Sequence, residues 1–323
     1  MISMYPLQAR CVVVGGGTMG MDVAVVLARG GSQVVVVEPD AAKRQALAGH
    51  VLRNLDALGL AHRAQRVQAV ADLADLANKA DMAWQNVSLV VECIPEKLPL
   101  KQALFAQLVQ LAMPGTLLCS NSSSFPISAI AQDLPTAQRM LGLHFFMPAH
   151  LVPLVEVVLG PQTDAHEAEQ LCAFMRGCGS VPVLVRKDKP GFLANRMQHA
   201  LARESFALID EGVASPEDVD AAVRFGFGFR FLAAGPVMQR DHAGLEVHTA
   251  AAASMYPSLA VNTAPARVLQ ERVSRGDLGM KTGQGFYAWT PETQQAERER
   301  YDNLLRQGLD LLAAELPPIN PLD

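Results

Sequence analysis

The sequence predicts an α/β fold in which a doubly wound, mostly parallel sheet comes first and an all-α domain follows. Short valine- and leucine-rich runs alternate with helical stretches through the first part of the chain, as in strands joined by crossover helices. After the pair Pro190-Gly191, helical periodicity continues and strand-like runs become rare. We therefore predict an α/β domain at residues 1–187 and a helical domain at residues 188–323.

Composition narrows the classes of protein that the chain can represent. The 323 residues carry a net charge of −5, so no broad basic surface is expected to bind nucleic acid. No apolar run approaches the roughly 20 residues of a membrane span, and no signal peptide is evident. The five cysteines show no C-x-x-C spacing, which favours reduced thiols in the cytoplasm. The motifs indicate no metal site.

The first elements surround a glycine-rich turn. Residues 11–14 form an apolar run typical of a buried strand, and the sequence GGGTMG at residues 15–20 fits the pattern G-x-G-x-x-G. Residues 21–29 have a helical apolar face, and residues 33–38 form a second strand that ends in an acid. This strand–turn–helix–strand unit predicts a Rossmann-type dinucleotide-binding domain.

The glycine spacing has a physical reason. The first glycine allows a tight turn, the second lets backbone N–H groups approach a diphosphate, and the third lets the helix pack closely. The diphosphate would lie at the positive N-terminus of the helix. An acid at position 38 can accept hydrogen bonds from ribose hydroxyls and would repel a 2′-phosphate, which favours NAD over NADP. The cofactor-binding residues expected here are Gly15, Gly17, Thr18, Met19, Gly20 and Glu38.

The remaining pattern gives both domains their elements. In the first domain we predict helices at 41–58, 98–111 and 165–178, and strands at 87–91, 116–119, 139–146, 154–159 and 181–185. In the second we predict helices at 192–211, 216–225, 236–256, 264–275 and 297–312. We expect the ligand site in a cleft between the domains. The apolar surface of the helical domain suggests a homodimer.

Several motifs in order resemble the L-3-hydroxyacyl-CoA dehydrogenase family over nearly the whole chain. They are GGGTMG, VVECIPEKLPLK, SNSSS, GLHFFMP, LVEVV, PGFLANR and KTGQGFY. The resemblance implies an NAD-dependent dehydrogenase in which Glu96 and Lys101 approach the cofactor. It also implies that Ser123 contacts substrate and cofactor, that Asn195 lies near the reacting oxygen, and that Lys281 is close to the cofactor. Without the resemblance, these would be read as a turn serine, a helix-surface asparagine and an exposed loop lysine.

Oxidation of an alcohol needs a base, and His144 is the candidate. It ends a predicted strand, where open α/β sheets place their ligands. Glu156 lies on the following strand, between apolar residues where an unpaired carboxylate would be costly. If the two strands are neighbours, the carboxylate can orient the imidazole. The resemblance implies this His144–Glu156 dyad.

Some positions depart from the family pattern. Met147 stands where the family often has asparagine. The segment with Arg230 resembles relatives that use free acids more than the CoA enzymes. Arg230 could bind a carboxylate, or it could be a solvated side chain. Asp241 and His242 are further pocket candidates. The region where the CoA enzymes place lysines for CoA contains instead Arg53, Arg63 and Arg66.

Three functions remain open. The leading hypothesis is NAD-dependent oxidation of a 3-hydroxyacyl-CoA such as 3-hydroxybutyryl-CoA, within fatty-acid metabolism. The runner-up is a dehydrogenase of a free hydroxy acid or hydroxymethyl compound, similar to gulonate, carnitine or pyridine-acid enzymes. The third is a non-catalytic NAD-binding protein, which would have no use for a base.

Overall fold

A computed structural model of the protein describes residues 5–78 and 84–319. The chain divides into two compact units, of which the first is Met1–Asn195 with Ala313–Asp323 and the second is Arg196–Leu312. The first unit is a mostly parallel α/β sheet with helices, and the second is helical. The predicted fold class is therefore confirmed.

Eight strands form one sheet in the order β3-β2-β1-β4-β5-β6-β7-β8. Neighbouring strands are parallel, except for the antiparallel pair β6 and β7. The order reverses between β1 and β4, which creates the crevice where such sheets bind ligands. The strands are β1 (Arg10–Val14), β2 (Gln33–Val37), β3 (Val67–Val70), β4 (Leu89–Glu92), β5 (Leu117–Ser120), β6 (Met140–Phe145), β7 (Leu154–Leu159) and β8 (Val181–Val185).

Alternating strand residues supply two hydrophobic cores, one on each face of the sheet. Val13 and Val36 pack in one core with the helices α1, α2 and α5, whereas Val12 and Val35 pack in the other with α3 and α4. This burial on both faces explains why the strands are almost continuously apolar in sequence. The helices are α1 (Thr18–Arg29), α2 (Ala41–Asp56), α3 (Leu98–Leu111), α4 (Ile127–Ile130) and α5 (Ala165–Gly177).

The second unit contains most of α6 (Ala194–Asp210) and the helices that follow. Residues 236–256 were predicted as one helix, which is wrong: Gly244, with φ of 92°, separates α8 from α9. The helix predicted at 216–225 ends at Ala222 and continues as a π-helical segment. The remaining helices are α7 (Pro216–Ala222), α8 (Pro236–Ala243), α9 (Leu245–Met255), α10 (Arg267–Arg275) and α11 (Pro291–Leu311).

Within the described part of the chain, none of the helices combines the length and the apolar character needed to cross a bilayer.

Candidate active site

The glycine turn lies at the crevice between β1 and β4. Gly15 has a φ of 102°, and a Cβ there would lie 2.7 Å from the carbonyl oxygen of Cys93. A Cβ on Gly20 would lie 1.7 Å from the carbonyl oxygen of Gly15, so the third glycine is needed because the turn folds back onto α1. A Cβ on Gly17 would meet no atom within 4 Å. The open side of the turn is therefore at Gly17, where a phosphate can approach the backbone.

Helix α1 begins at Thr18 directly after Gly17, and no side chain caps its first N–H groups. Those uncapped donors and the positive end of the helix suit an anionic diphosphate. Thr18 and Met19 occupy the first turn of the helix, where the predicted cofactor contacts would form.

Glu38 follows the C-terminal end of β2 and is 5% exposed. Its Oε2 accepts a hydrogen bond of 2.8 Å from the N–H of Gly16, and its Oε1 accepts one of 2.9 Å from the N–H of Asp40. The carboxylate is thus held beside the glycine turn. These residues fit NAD, because an anion at this position binds ribose hydroxyls and disfavours a 2′-phosphate.

His144 and Glu156 form a buried pair. They face each other across the antiparallel strands β6 and β7, and His144 Nδ1 lies 2.8 Å from Glu156 Oε2. Their side chains are 3% and 0% exposed. An ionised carboxylate can only accept at this contact, so Nδ1 carries the proton and Nε2 keeps its lone pair. In this tautomer Nε2 is the ring nitrogen that can accept a proton from a substrate.

The other oxygen of Glu156 is also fully used. Oε1 accepts hydrogen bonds from the N–H groups of Leu193 at 3.1 Å and Ala194 at 2.7 Å, where α6 begins. Phe192 precedes them with a φ of 48°, an unusual conformation for a residue with a side chain. Its ring packs edge-on against His144, with centroids 5.5 Å apart. Glu156 therefore orients the imidazole and stabilises the N-terminus of α6 at once.

Among the described residues, Ser123 contacts His144 Nε2. Its Oγ lies 3.2 Å from Nε2, and with Nδ1 protonated the hydroxyl is the donor. Ser123 itself is exposed, so this side of the imidazole is open to a small ligand. Asn121, in the same turn, accepts a 2.9 Å bond from the N–H of Phe145 and so fixes the end of β6 beside His144.

A buried ionic network holds the turns after β4 and β5. Lys101 Nζ donates to Glu92 Oε1 at 2.7 Å and forms an ion pair of 3.1 Å with Glu96 Oε2. Glu96 Oε1 accepts from the Ser122 hydroxyl at 2.6 Å. Burial raises the pKa of Glu96, but hydrogen bonds from Ser122, Ser124 and Lys101 outweigh it and hold that pKa below its ordinary value.

Glu92 is the member of this network that the sequence analysis did not single out. It is 0% exposed, and its Oε2 accepts a 2.6 Å bond from the Ser120 hydroxyl. An acid inside the apolar run VVECIP was the available signal, because a buried carboxylate requires partners. The network makes Lys101 a support of the turns that carry Ser123, and the Lys101 side chain is 2% exposed.

The other predicted site residues are placed as follows. Asn195 is half-buried in the first turn of α6, directly after Ala194, whose N–H binds Glu156. Arg230 and Lys281 are exposed in the second unit, in the 3-10 helices Phe229–Leu232 and Met280–Thr282. Met147, at the family's asparagine position, is 64% exposed.

Comparison with protein families gives the same assignment from a separate direction. The model of the 3-hydroxyacyl-CoA dehydrogenase NAD-binding domain matches residues 10–189, and the model of the C-terminal domain of the same family matches residues 191–289.

Among relatives, the chain is 34% identical over 294 residues to 5-formyl-3-hydroxy-2-methylpyridine 4-carboxylate 5-dehydrogenase of Mesorhizobium japonicum. That match covers 89% of this chain and 94% of the relative. It is 39% identical over 285 residues to 3-hydroxyadipyl-CoA dehydrogenase of Escherichia coli, covering 87% of this chain and 59% of that longer one.

Two solved structures extend the comparison. A 5-formyl-3-hydroxy-2-methylpyridine 4-carboxylic acid 5-dehydrogenase, described as an NAD+-dependent dismutase, has a TM-score of 0.85 and 32% identity, and the match covers 96% of this chain and 99% of that one. The (S)-3-hydroxybutyryl-CoA dehydrogenase of Ralstonia eutropha has a TM-score of 0.69 and 29% identity, with coverages of 87% and 99%. With its glycine turn, its Glu38 and its paired histidine, the chain belongs to the 3-hydroxyacyl-CoA dehydrogenase family and is an NAD-dependent dehydrogenase that acts on a hydroxyl group.

Proposed function

We propose that the protein oxidises a small free carboxylic acid that carries a hydroxymethyl, hydrated formyl or secondary hydroxyl group. The observation that carries this proposal is the similarity to the pyridine-carboxylate dehydrogenase, with a TM-score of 0.85 over 96% of the chain. The family model ends at residue 289, before the 21-residue helix α11. The match to the pyridine-carboxylate dehydrogenase covers 96% of this chain and leaves uncovered fewer residues than α11 contains. That match therefore includes at least part of α11.

The basic residues available for CoA support the same choice. Arg63 is 2% exposed and its guanidinium donates to the carbonyl oxygen of Arg29, while Arg66 donates to the carbonyl oxygen of Gly31 at 2.9 Å. Two of the three arginines in this region are therefore engaged with backbone carbonyls. Arg53 remains exposed there, and one arginine offers little for a nucleotide 3′-phosphate.

The catalytic role of each residue follows from the hydrogen bonds. His144 Nε2 accepts the hydroxyl proton of the substrate, and Glu156 stabilises the imidazolium that forms. Ser123, which donates to Nε2 in this structure, turns its hydroxyl to the substrate oxygen. The open face at Gly17, together with Glu38, would hold NAD, which would supply the hydride acceptor for the carbon that carries the hydroxyl group.

We assign the remaining predicted residues to binding. In this proposal Arg230 binds the substrate carboxylate, Asn195 donates to the reacting oxygen, and Glu96 and Lys281 contact the cofactor. Support for Arg230 is its exposed guanidinium, for which the described residues provide no ion pair. Replacing it by methionine is expected to raise KM for the acid about tenfold to 100-fold with a smaller change in kcat. Arg240→Met, at an exposed position of α8, is the matched control.

A CoA thioester is the second candidate substrate. The 39% identity to the 3-hydroxyadipyl-CoA dehydrogenase of Escherichia coli favours it, and it would place the protein in fatty-acid metabolism. The two substrates differ in what they need: CoA needs a site for its nucleotide phosphates, whereas a small free acid needs only a cation such as Arg230 for its carboxylate.

A substrate panel separates the candidates. We would measure NADH formation with hydroxymethyl and formyl pyridine- and benzene-carboxylic acids, gulonate, carnitine and 3-hydroxybutyrate, and NADH consumption with acetoacetyl-CoA. We expect kcat/KM for one of the free acids to exceed kcat/KM for the thioester by at least about tenfold. Preference for the thioester would overturn it. NAD binding without turnover of any compound would indicate a non-catalytic protein.

We also propose a homodimer through the helical unit. Ala234, at 9% exposure, is the single buried residue among Arg196–Leu312, and α6 to α11 contain none. Phe225, Phe229 and Val237 are 72%, 64% and 78% exposed. Apolar side chains on this scale need a covering partner, and a second copy of the chain supplies one. A monomeric mass at micromolar concentration in analytical ultracentrifugation would refute the dimer.

We also propose that the protein is located in the cytoplasm. All five cysteines are free thiols, and four of them are buried. This supports the cytoplasm as a reducing environment, and cell fractionation tests it.

A further inference from the structure

Three side chains converge beside the glycine turn without a role in the reaction. Asp22 lies on α1, His50 on α2, and His150 in the segment between β6 and β7. Asp22 Oδ1 lies 2.8 Å from His50 Nε2 and 3.0 Å from His150 Nδ1, and the three ligand atoms lie within 4.8 Å of one another. We propose that these residues bind a first-row divalent transition metal of the zinc class.

The surroundings of the His150 ring also favour a metal ion. Its side chain is nine-tenths buried, and its Nδ1 forms no hydrogen bond although it lies 3.0 Å from the Asp22 carboxylate. A protonated Nδ1 at this distance would be expected to point at the oxygen. This buried nitrogen is therefore available to an ion shared with the Asp22 carboxylate.

The donor set suits such an ion. Imidazole nitrogen and carboxylate oxygen are typical ligands of zinc, cobalt and nickel. Tetrahedral zinc ligands lie about 3.3 Å apart, so the observed 2.8 and 3.0 Å separations need to widen by only a few tenths of an ångström.

Solvent can supply a fourth ligand and an entry path. The Asn54 NH2 group lies 3.4 Å from His50 Nε2 and donates to the His50 carbonyl oxygen at 3.0 Å, so a water molecule would supply the fourth ligand. The His50 side chain is 21% exposed, which leaves the site open to solvent for the ion and a water ligand.

The expected effect of the metal is structural. Asp22 Oδ2 already accepts a 3.0 Å bond from the N–H of Ala149, so an ion on Oδ1 would tie α1, α2 and this segment together. Because the unfolded chain lacks the assembled site, an ion that binds the folded state raises Tm. The sequence motifs indicated no metal, since the three ligands are far apart in the chain and have no ligand spacing.

Metal-free protein, stripped with a chelator, is titrated with ZnCl2 by calorimetry and with Co2+ by visible absorption. We expect one ion per chain, a tetrahedral Co2+ spectrum and a higher Tm with Zn2+. Asp22→Asn and His150→Gln are expected to weaken the affinity by at least about 100-fold. His166→Gln is the matched control, because His166 is an exposed histidine on α5 paired with Gln170, and it should bind like wild type.

The possible results decide the proposal. Absence of binding by wild type at millimolar Zn2+ would overturn it, as would unchanged affinity in Asp22→Asn and His150→Gln. If circular dichroism shows that either variant fails to fold, His50→Gln is measured in its place. The His50 side chain is more exposed than that of His150, so its replacement should disturb the fold less. Retained NAD binding by the variants separates loss of the ion from loss of the fold.

Discussion

Glu156→Gln replaces one carboxylate oxygen by an NH2 group and leaves the shape of the side chain unchanged. The amide oxygen must stay on the N–H groups of Leu193 and Ala194, because an NH2 group cannot accept from them. The NH2 group then faces His144 Nδ1 and donates to it. The proton of the imidazole is forced to Nε2, which can no longer accept a proton from the substrate.

The magnitudes follow from which bonds survive. Loss of the correct tautomer and of the negative charge beside the imidazolium is expected to lower kcat by about 10²–10⁴-fold. Both backbone bonds of Glu156 are kept, and one charge-assisted bond becomes neutral, so the free energy of unfolding should fall by only about 1–2 kcal/mol. The glycine turn is untouched, and the Kd for NAD should change by less than about twofold.

The assay is steady-state NADH formation with the best acid of the panel, together with NAD titration by fluorescence and urea unfolding. Glu169→Gln, the same exchange at an exposed position of α5, is the control and should match wild type. If Glu156→Gln kept kcat within about threefold of wild type, the carboxylate would not set the tautomer and the reasoning would be refuted.

Four further substitutions test the surroundings of the site. Gly17→Val places its side chain in open space, so it should keep Tm but raise the Kd for NAD at least about tenfold. Gly20→Ala should lower both Tm and NAD affinity, because its Cβ would meet the Gly15 oxygen. Equal behaviour of the two variants in calorimetry and thermal unfolding would contradict this. Lys101→Met leaves the buried Glu92 without its cation, and urea unfolding should show a loss of about 3–5 kcal/mol; a loss below about 1 kcal/mol would show that Glu92 is not held by this ion pair. The folded-state pKa of Glu96 lies below the ordinary 4.5, so its contribution is complete above pH 4.5 and is lost as the pH falls through the lowered value. The deficit of Glu96→Gln in urea unfolding should therefore be largest at pH 7 and disappear in acid, and a deficit that grew with falling pH would reverse the sign.

The sheet and its cofactor turn could be predicted because their signals are local. Buried strands such as Leu154–Leu159 and the helix Leu98–Leu111 have continuous patterns, and their predicted bounds match the structure. The pairing of β6 with β7 was open in the sequence, and in the structure their register puts His144 opposite Glu156.

Other features depend on contacts that no local pattern carries. Strand β3 has only four residues, one of them Gln68, and was not predicted because its pairing with β2 creates it. The break at Gly244 was missed because apolar spacing continues through it. The network around Glu92 and the cluster at Asp22 join residues that are distant in sequence.

The central claim is that His144 takes the substrate proton while the glycine turn holds NAD independently of it. Single-turnover formation of NADH at saturating NAD tests this directly in wild type and His144→Gln. We expect a rate about 10²–10⁴-fold lower in the variant, with the NAD Kd unchanged within about twofold. An unchanged rate of NADH formation in the variant would contradict it.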